Sequence, residues 1–371
     1  DRIEAVGDLA PRSGDTVVEA GGLVLAPGFI DTHSHHDRRL LDMPGALGAV
    51  SQGITTVVVG QDGGSRLPLA DFFAEVEATG AAVNVASFAG HGSLRGRVMG
   101  DDFRRPATPA EMEAMRSLLR ADLEAGALGL STGLEYDPGI HATTEEVVAL
   151  AREAARAGGR YISHMRSEDR ALWDAVEETI RIGREAAIPV QISHLQLALK
   201  SLWGEADRLI RRLEEARREG VEVTADVYPY TFWQSTMTVL FPERDFEDRA
   251  AFVFALDELV PPEGMRIARY EPRPAYEGRT LAEVAAERGE DLVDTYMALV
   301  REAVAEDAEE SIIATSMARD DVVRLLRWRH ANVASDGALD GGHPRGFGSF
   351  TRVVGPWVRD GHLSLEEAVR R

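Results

Sequence analysis

The sequence predicts an α/β fold, a (β/α)8 barrel of TIM type. Three observations lead there. Short β-branched runs alternate with amphipathic stretches rich in Ala, Glu, Arg and Leu. Eight such runs can be counted. Several are apolar throughout, as strands covered by helices on both faces must be. Eight consecutive βα units argue for a barrel.

The elements follow in order. The segment Ile3–Ala26 reads as two or three short strands ahead of the barrel, so residues 1–26 are assigned to part of a small β-domain and 27–371 to the barrel. The barrel strands are expected at 28–31, 55–59, 82–87, 127–131, 161–163, 190–193, 222–227 and 332–335. Helical periodicity is strongest over Glu111–Ala125, Thr144–Ala157, Leu172–Ala187 and Ala206–Glu219. Residues Pro242–Ser311 carry helical patterns and Pro/Gly-rich turns but no evident barrel strand, and are read as an insertion between the seventh and eighth strands. At Ser364 a helix opens with a Ser N-cap and Glu367 at N3. Both chain ends read as cut, and the C-terminal part of the small domain is expected to be missing.

Composition excludes several functions. With 41 Lys+Arg against 62 Asp+Glu, the 371-residue chain carries a formal charge of −21. That opposes nucleic-acid binding and adhesion to anionic lipid, both of which need a basic face. The absence of cysteine removes disulfides, Cys-ligated zinc, iron–sulfur clusters and a thiol nucleophile. No run approaches the ~18 apolar residues of a membrane span, and the N-terminus lacks the basic start and apolar core of a signal peptide. A cytoplasmic protein with a small-molecule partner is the expectation; the oligomeric state stays open.

In such a barrel the chemistry lies at the C-terminal strand ends. Seven of the ten histidines follow a predicted strand. His33 and His35 lie two apart on extended chain, so both imidazoles enter the barrel mouth together and can hold one metal ion. His164 and His194 each follow an Ile-Ser pair at successive strand ends. Either alone would read as a core histidine; two beside an H-x-H read as ligands. Asp336, after the eighth strand, falls beside His33 and His35 once the barrel closes, where a carboxylate can accept a proton from water and later return it.

These residues carry a pattern. Pro27-Gly-Phe-Ile-Asp-Thr-His-Ser-His35, a His at the fifth and sixth strand ends and Ser335-Asp336 resemble the metal-dependent amidohydrolase superfamily. Gly90-His-Gly-Ser-Leu-Arg95, Gly126–Leu134, His164-Met-Arg166, Ile192-Ser-His194, Tyr228-Pro-Tyr230 and His343–Phe350 more closely resemble the N-acyl-D-amino-acid deacylases, over nearly the whole chain. The resemblance implies a zinc-dependent barrel with a small β-domain built from both chain ends. It carries ligand roles onto His33, His35, His164 and His194 and the catalytic role onto Asp336. It associates Tyr228, Ser235 and Arg345 with the substrate carboxylate or the oxyanion.

Two positions depart from that family. A Cys ligand is usual after the second strand; here the turn reads Gln61-Asp62-Gly63. Asp62 can supply an oxygen ligand, which zinc accepts and which admits Mn or Co more readily; alternatively it only makes the turn, with Glu135 or a water bridging. Gln196 stands where a Lys is common, with Lys200 further on. The implied chemistry is hydrolysis of N-acyl-D-amino acids with one or two zinc ions held by Asp62, His164 and His194 and by His33, His35 and Asp336. Asp336 would shuttle the proton, Tyr228 or His91 would steady the oxyanion, and Arg345 would bind the α-carboxylate or lock its loop. A D-dipeptidase or cyclic-amide hydrolase on the same scaffold is the alternative, and a scaffold without chemistry a third reading.

Overall fold

The computed structural model describes residues 3–371; the first two residues of the segment assigned to the small domain lie outside the described residues. Eight parallel strands form the barrel, at Phe29–Asp31, Ile54–Val59, Asn84–Ser87 continuing as Ala89–Gly90, Gly129–Gly133, Arg160–His164, Val190–Ile192, Val223–Val227 and Ala331–Val333. All eight coincide with the expected runs to within a few residues. They form two hydrogen-bonded arcs: Phe29–Asp31, Ile54–Val59 and Asn84–Ser87 in one, and Ala89–Gly90 with the remaining five strands in the other. Two seams join them. Leu128 N–H donates to Ser87 O at 2.9 Å, and the first strand meets the eighth through Asp336 N–H to His33 O at 2.8 Å and His35 N–H to Gly337 O at 2.9 Å. The buried Asp31 carboxylate reinforces the second seam by accepting from the Ser335 N–H at 2.9 Å and from its hydroxyl.

The helices on the barrel's outside start and stop where local chemistry dictates. Thr108 and Glu111 form a capping box ahead of Pro109–Glu124, and Thr143 caps Thr144–Arg156. The helices Leu172–Ala186 and Ala206–Arg218 also match expectation, and Ser364 accepts from Glu367 N–H as its sequence pattern implies. Alternation along a strand separates two cores. Val57 and Val59 join the large cluster shared with the helices, whereas Val58 between them joins a separate cluster with Phe88 and Ile162. No helix among the described residues is long and apolar enough to cross a membrane.

Two regions differ from expectation. Residues 3–26 form no strand and pair with no other strand among the described residues. Their apolar side chains, Val18, Val24 and Leu25 among them, are exposed. A strand is stabilised by a neighbour that takes its N–H and C=O groups, and this segment has none. The insertion after the seventh strand is larger and more ordered than a helical excursion. Phe232–Ser235, Met265–Tyr270 and Glu310–Thr315 form their own antiparallel sheet, with Glu310–Thr315 central. The helices Arg249–Phe254, Leu281–Arg288 and Leu292–Glu306 accompany it. The strand Met265–Tyr270 alternates buried and exposed residues, the mark of a half-covered antiparallel strand rather than of the continuous apolar runs of the barrel.

Candidate metal centre and active site

The barrel mouth collects the residues expected there. His33 is fully buried, and His35 follows it on the same side of the extended chain. The Gln61-Asp62-Gly63 turn leaves the second strand in close contact with the fourth. A Cβ on Gly63 would meet the Gly133 nitrogen at 2.7 Å, so the approach requires glycine. Asp62, His194 and Asp336 adopt left-handed φ values of 52°, 32° and 47°. Each such non-glycine residue costs roughly 1–3 kcal/mol. All three lie where the chain leaves a barrel strand, so the surrounding barrel holds the strain.

Three groups of side chains have donor atoms within 4.8 Å of one another: His33, His35, Asp62 and Asp336; Asp62, His164 and His194; and Glu135, His164 and Glu168, the first two holding all the expected ligands. Asp62 belongs to both of these. Its Oδ2 lies 3.4 Å from His33 Nε2 and 3.2 Å from His35 Nε2, and its Oδ1 lies 3.7 Å from His194 Nε2. Asp336 Oδ1 is 3.4 Å from His33 Nε2 and 3.2 Å from His35 Nε2. His164 Nδ1 and His194 Nε2 are 3.0 Å apart. Buried His33 Nε2 and Asp62 Oδ1 have no hydrogen-bond partner. Imidazole nitrogens and carboxylate oxygens in this number are donors that zinc and related divalent ions accept. The residues therefore fit one divalent metal ion, or two sharing Asp62.

Around this set stand carboxylates, of which the sequence suggests only Glu135, as a bridging ligand. His33 Nδ1 lies 3.3 Å from Asp226, His164 Nε2 2.8 Å from Glu135, and His194 Nδ1 2.7 Å from Glu168. Such partners set the tautomer and orientation of a ligating ring. Asp226 also accepts the His194 N–H at 2.7 Å. It lies inside the strand Val223–Val227, where the sequence pattern marks a core position rather than a barrel-mouth residue. Burial opposes charge at His33, but Asp62, Asp226 and Asp336 outweigh it and raise its pKa well above the usual value. Burial likewise opposes ionisation of Asp336, and Arg345 and His33 overcome it, holding that carboxyl far below the usual range. Glu135, by contrast, is pushed up to about 7, chiefly by burial.

The remaining expected residues separate. Arg345 lies 2.6 Å from Asp336 through Nη1, and its guanidinium stands over the Tyr228 ring at 4.9 Å. The salt bridge is thus made to Asp336 itself rather than serving only to lock a loop. Tyr228 hydroxyl donates to Gln196 Oε1 at 3.4 Å, and burial raises its pKa, so it stays protonated and able to donate. Ser235 lines a cleft together with His164, His194 and Gln196. His91 does not join these residues. It is fully buried with Nε2 2.8 Å from Glu146, which also pairs with Arg95 at 2.7 Å. This ion-paired cluster ties the helix His91–Met99 to Thr144–Arg156, which corrects the expectation of an oxyanion role. His343 is also structural: its Nδ1 accepts from Arg345 N–H at 2.9 Å while Nε2 meets Phe232 O at 2.8 Å. Burial lowers its pKa to about 3, so it is neutral.

With this geometry in view, the comparisons with known proteins agree. Residues 16–324 match the Amidohydrolase family. An N-acyl-D-glutamate deacylase from Alcaligenes xylosoxydans xylosoxydans is 36% identical, the alignment covering 100% of this chain and 76% of that protein. A D-aminoacylase from the same organism is 37% identical with the same coverage. The crystal structure of N-acyl-D-glutamate deacylase from Bordetella bronchiseptica, complexed with zinc and a phosphonate inhibitor that mimics the tetrahedral intermediate, superposes with a TM-score of 0.81 at 35% identity, covering 92% of this chain and 72% of that one. A barrel with two histidine pairs and two aspartates at its mouth, a match to deacylases along the whole of this chain and a shared fold lead to one conclusion: the chain belongs to the amidohydrolase family, in its N-acyl-D-amino-acid deacylase branch.

Proposed function

We propose that this chain is a metal-dependent hydrolase that cleaves the amide bond of N-acyl-D-amino acids, releasing a carboxylate and a free D-amino acid. The observation that carries the reading is the pair of adjacent donor groups at the barrel mouth, His33, His35, Asp62 and Asp336 in one and Asp62, His164 and His194 in the other, joined through Asp62. His164, His194 and Asp62 would hold one zinc ion, with His33, His35, Asp336 and the same Asp62 available for a second. Zinc so bound supplies Lewis acidity, lowering the pKa of water toward ~7 and polarising a carbonyl.

The chain's own residues do the rest. Asp336, kept ionised by Arg345, accepts the proton of the attacking water and returns it to the leaving nitrogen as the amide C–N bond breaks. The protonated Tyr228 donates toward the developing oxyanion. Arg345, which also reaches the Gln234 carbonyl at the cleft wall at 3.4 Å, sets the substrate's α-carboxylate. Ser235 adds a hydroxyl to the same wall.

The test is hydrolysis by the metal-stripped and zinc-, Mn- or Co-reloaded protein of N-acetyl-D-amino acids, their L-enantiomers, D-dipeptides and a hydantoin. Turnover confined to the reloaded protein and to acyl-D-amino acids supports the reading. Turnover of dipeptide or hydantoin alone replaces it with the alternative amide chemistry, and substoichiometric metal after reloading supports a scaffold without chemistry.

A further inference from the structure

The relatives do not decide which side chain the substrate carries, since the glutamate deacylase and the D-aminoacylase are 36% and 37% identical to this chain. The cleft beside His164 and His194 does bear on it. Its apolar lining is Trp233, Val239, Leu240, Leu259 and Ala198. Four of these five come from the insertion or the sheet that begins it, and all are buried. The Trp233 indole is fixed by its N–H to Ser316 Oγ at 2.6 Å, so this lining is a preformed surface.

The charged lining is all of one sign: Glu135, Glu168 and Asp169. No Arg or Lys lines the cleft among the described residues. The nearest cations are already engaged, Arg345 by Asp336 at 2.6 Å and, in the reading above, by the substrate's α-carboxylate. Arg170 donates to Leu240 O at 3.2 Å and stands over the Phe254 ring. Arg244 donates to Thr238 O at 2.6 Å and Glu135 O at 3.3 Å. Lys200 Nζ donates to Asp257 O at 2.6 Å on the exposed surface. Gln196, which does line the cleft, is neutral and is held between Glu168 and Tyr228.

We infer that this cleft receives the amino-acid side chain and selects N-acyl-D-amino acids with uncharged, apolar side chains, rejecting those with a second carboxylate. The inference rests on the deacylase reading above. An acidic side chain here would lose its hydration among apolar groups and face the Glu168 and Asp169 carboxylates, with no Arg or Lys in the lining to pair it. An aliphatic or aromatic side chain instead covers surface already built for it.

The experiment holds the acyl group constant as acetyl and measures kcat/KM for the zinc-loaded full chain on D-Leu, D-Met, D-Phe, D-Glu and D-Asp derivatives. Apolar substrates are expected to exceed acidic ones by at least ~100-fold, and each methylene from D-Ala toward D-norleucine to add roughly fourfold. Val239→Arg, checked for folding by circular dichroism, is expected to raise D-Glu turnover and lower D-Leu turnover. Calorimetric binding of free D-Leu and D-Glu gives a readout independent of turnover, with D-Leu the tighter. Acidic substrates equal to or better than apolar ones would overturn the inference alone. No turnover of any acyl-D-amino acid would overturn the deacylase reading and the inference with it.

Discussion

Asp62 offers two oxygens where a thiolate would offer one sulfur, and the geometry uses both. Oδ2 faces the His33/His35 pair and Oδ1 faces His194. Loss of this side chain should therefore empty both groups of donors at once. Asp62→Ala is expected to lower metal affinity by more than the ~10–100-fold typical of an outer partner, measured as metal retained after dialysis. Asp62→Cys should retain metal and move the preference from Mn toward Zn, because a softer donor replaces a harder one; unchanged Mn/Zn competition would show that Asp62 only shapes the turn. Residue chemistry at this site was legible from the sequence where the pattern was local. His33 and His35 are two apart, and the two Ile-Ser-His motifs mark strand ends. It was not legible at Asp226 and Glu168, nor in the pairing of Glu135 with His164, because their meaning lies in which imidazole nitrogen each faces. His91 shows the converse: a strand-end histidine in a promising loop, drawn away by a buried Glu–Arg pair that no spacing announces.

At the scale of elements, the insertion does more than decorate the barrel. Its sheet begins with Phe232–Ser235, and the short helix Met237–Leu240 places Val239 and Leu240 at the cleft. Glu310, on the central strand of that sheet, accepts the Met237 N–H at 2.6 Å. Burial pushes its pKa from 4.5 to about 7. The folded state thus binds a proton that the unfolded chain has lost between those values. The contribution is full below about pH 4.5 and is lost as pH rises through about 7. Glu310→Gln should raise stability at pH 8 by up to about 3 kcal/mol, at ~1.4 kcal/mol per pH unit, and change little at pH 4. Thermal melts at the two pH values check the sign, and equal effects at both would remove Glu310 as the cause. The helices around the barrel were readable almost to the residue because caps and 3.6-residue periodicity are local. The insertion's strands were not, since Met265–Tyr270 becomes a strand only beside Glu310–Thr315, which follows some forty residues later in the chain.

For the whole molecule, closure is what makes a site out of scattered motifs. Asp31 joins the first and eighth strands by accepting from Ser335, two residues before His33 and one before Asp336. Asp31→Ala leaves the buried Ser335 N–H and hydroxyl without that acceptor. It should destabilise the chain by about 1–3 kcal/mol, read as a lower denaturation midpoint, with metal retention reduced alongside; an unchanged midpoint would mean that the seam is held by its backbone bonds alone. The sequence by itself determined the eight-unit barrel and the placing of His33, His35, His164, His194 and Asp336 at its mouth, because strand runs, helix caps and residues adjacent to strand ends are written in short stretches of chain. Tertiary structure alone decided that Asp62 is shared between two donor groups, that Arg345 pairs with Asp336, that His91 leaves the site and that an apolar wall from the insertion faces the histidines. Each of those outcomes depends on contacts between residues brought together only when the barrel closes and the insertion folds back over its mouth.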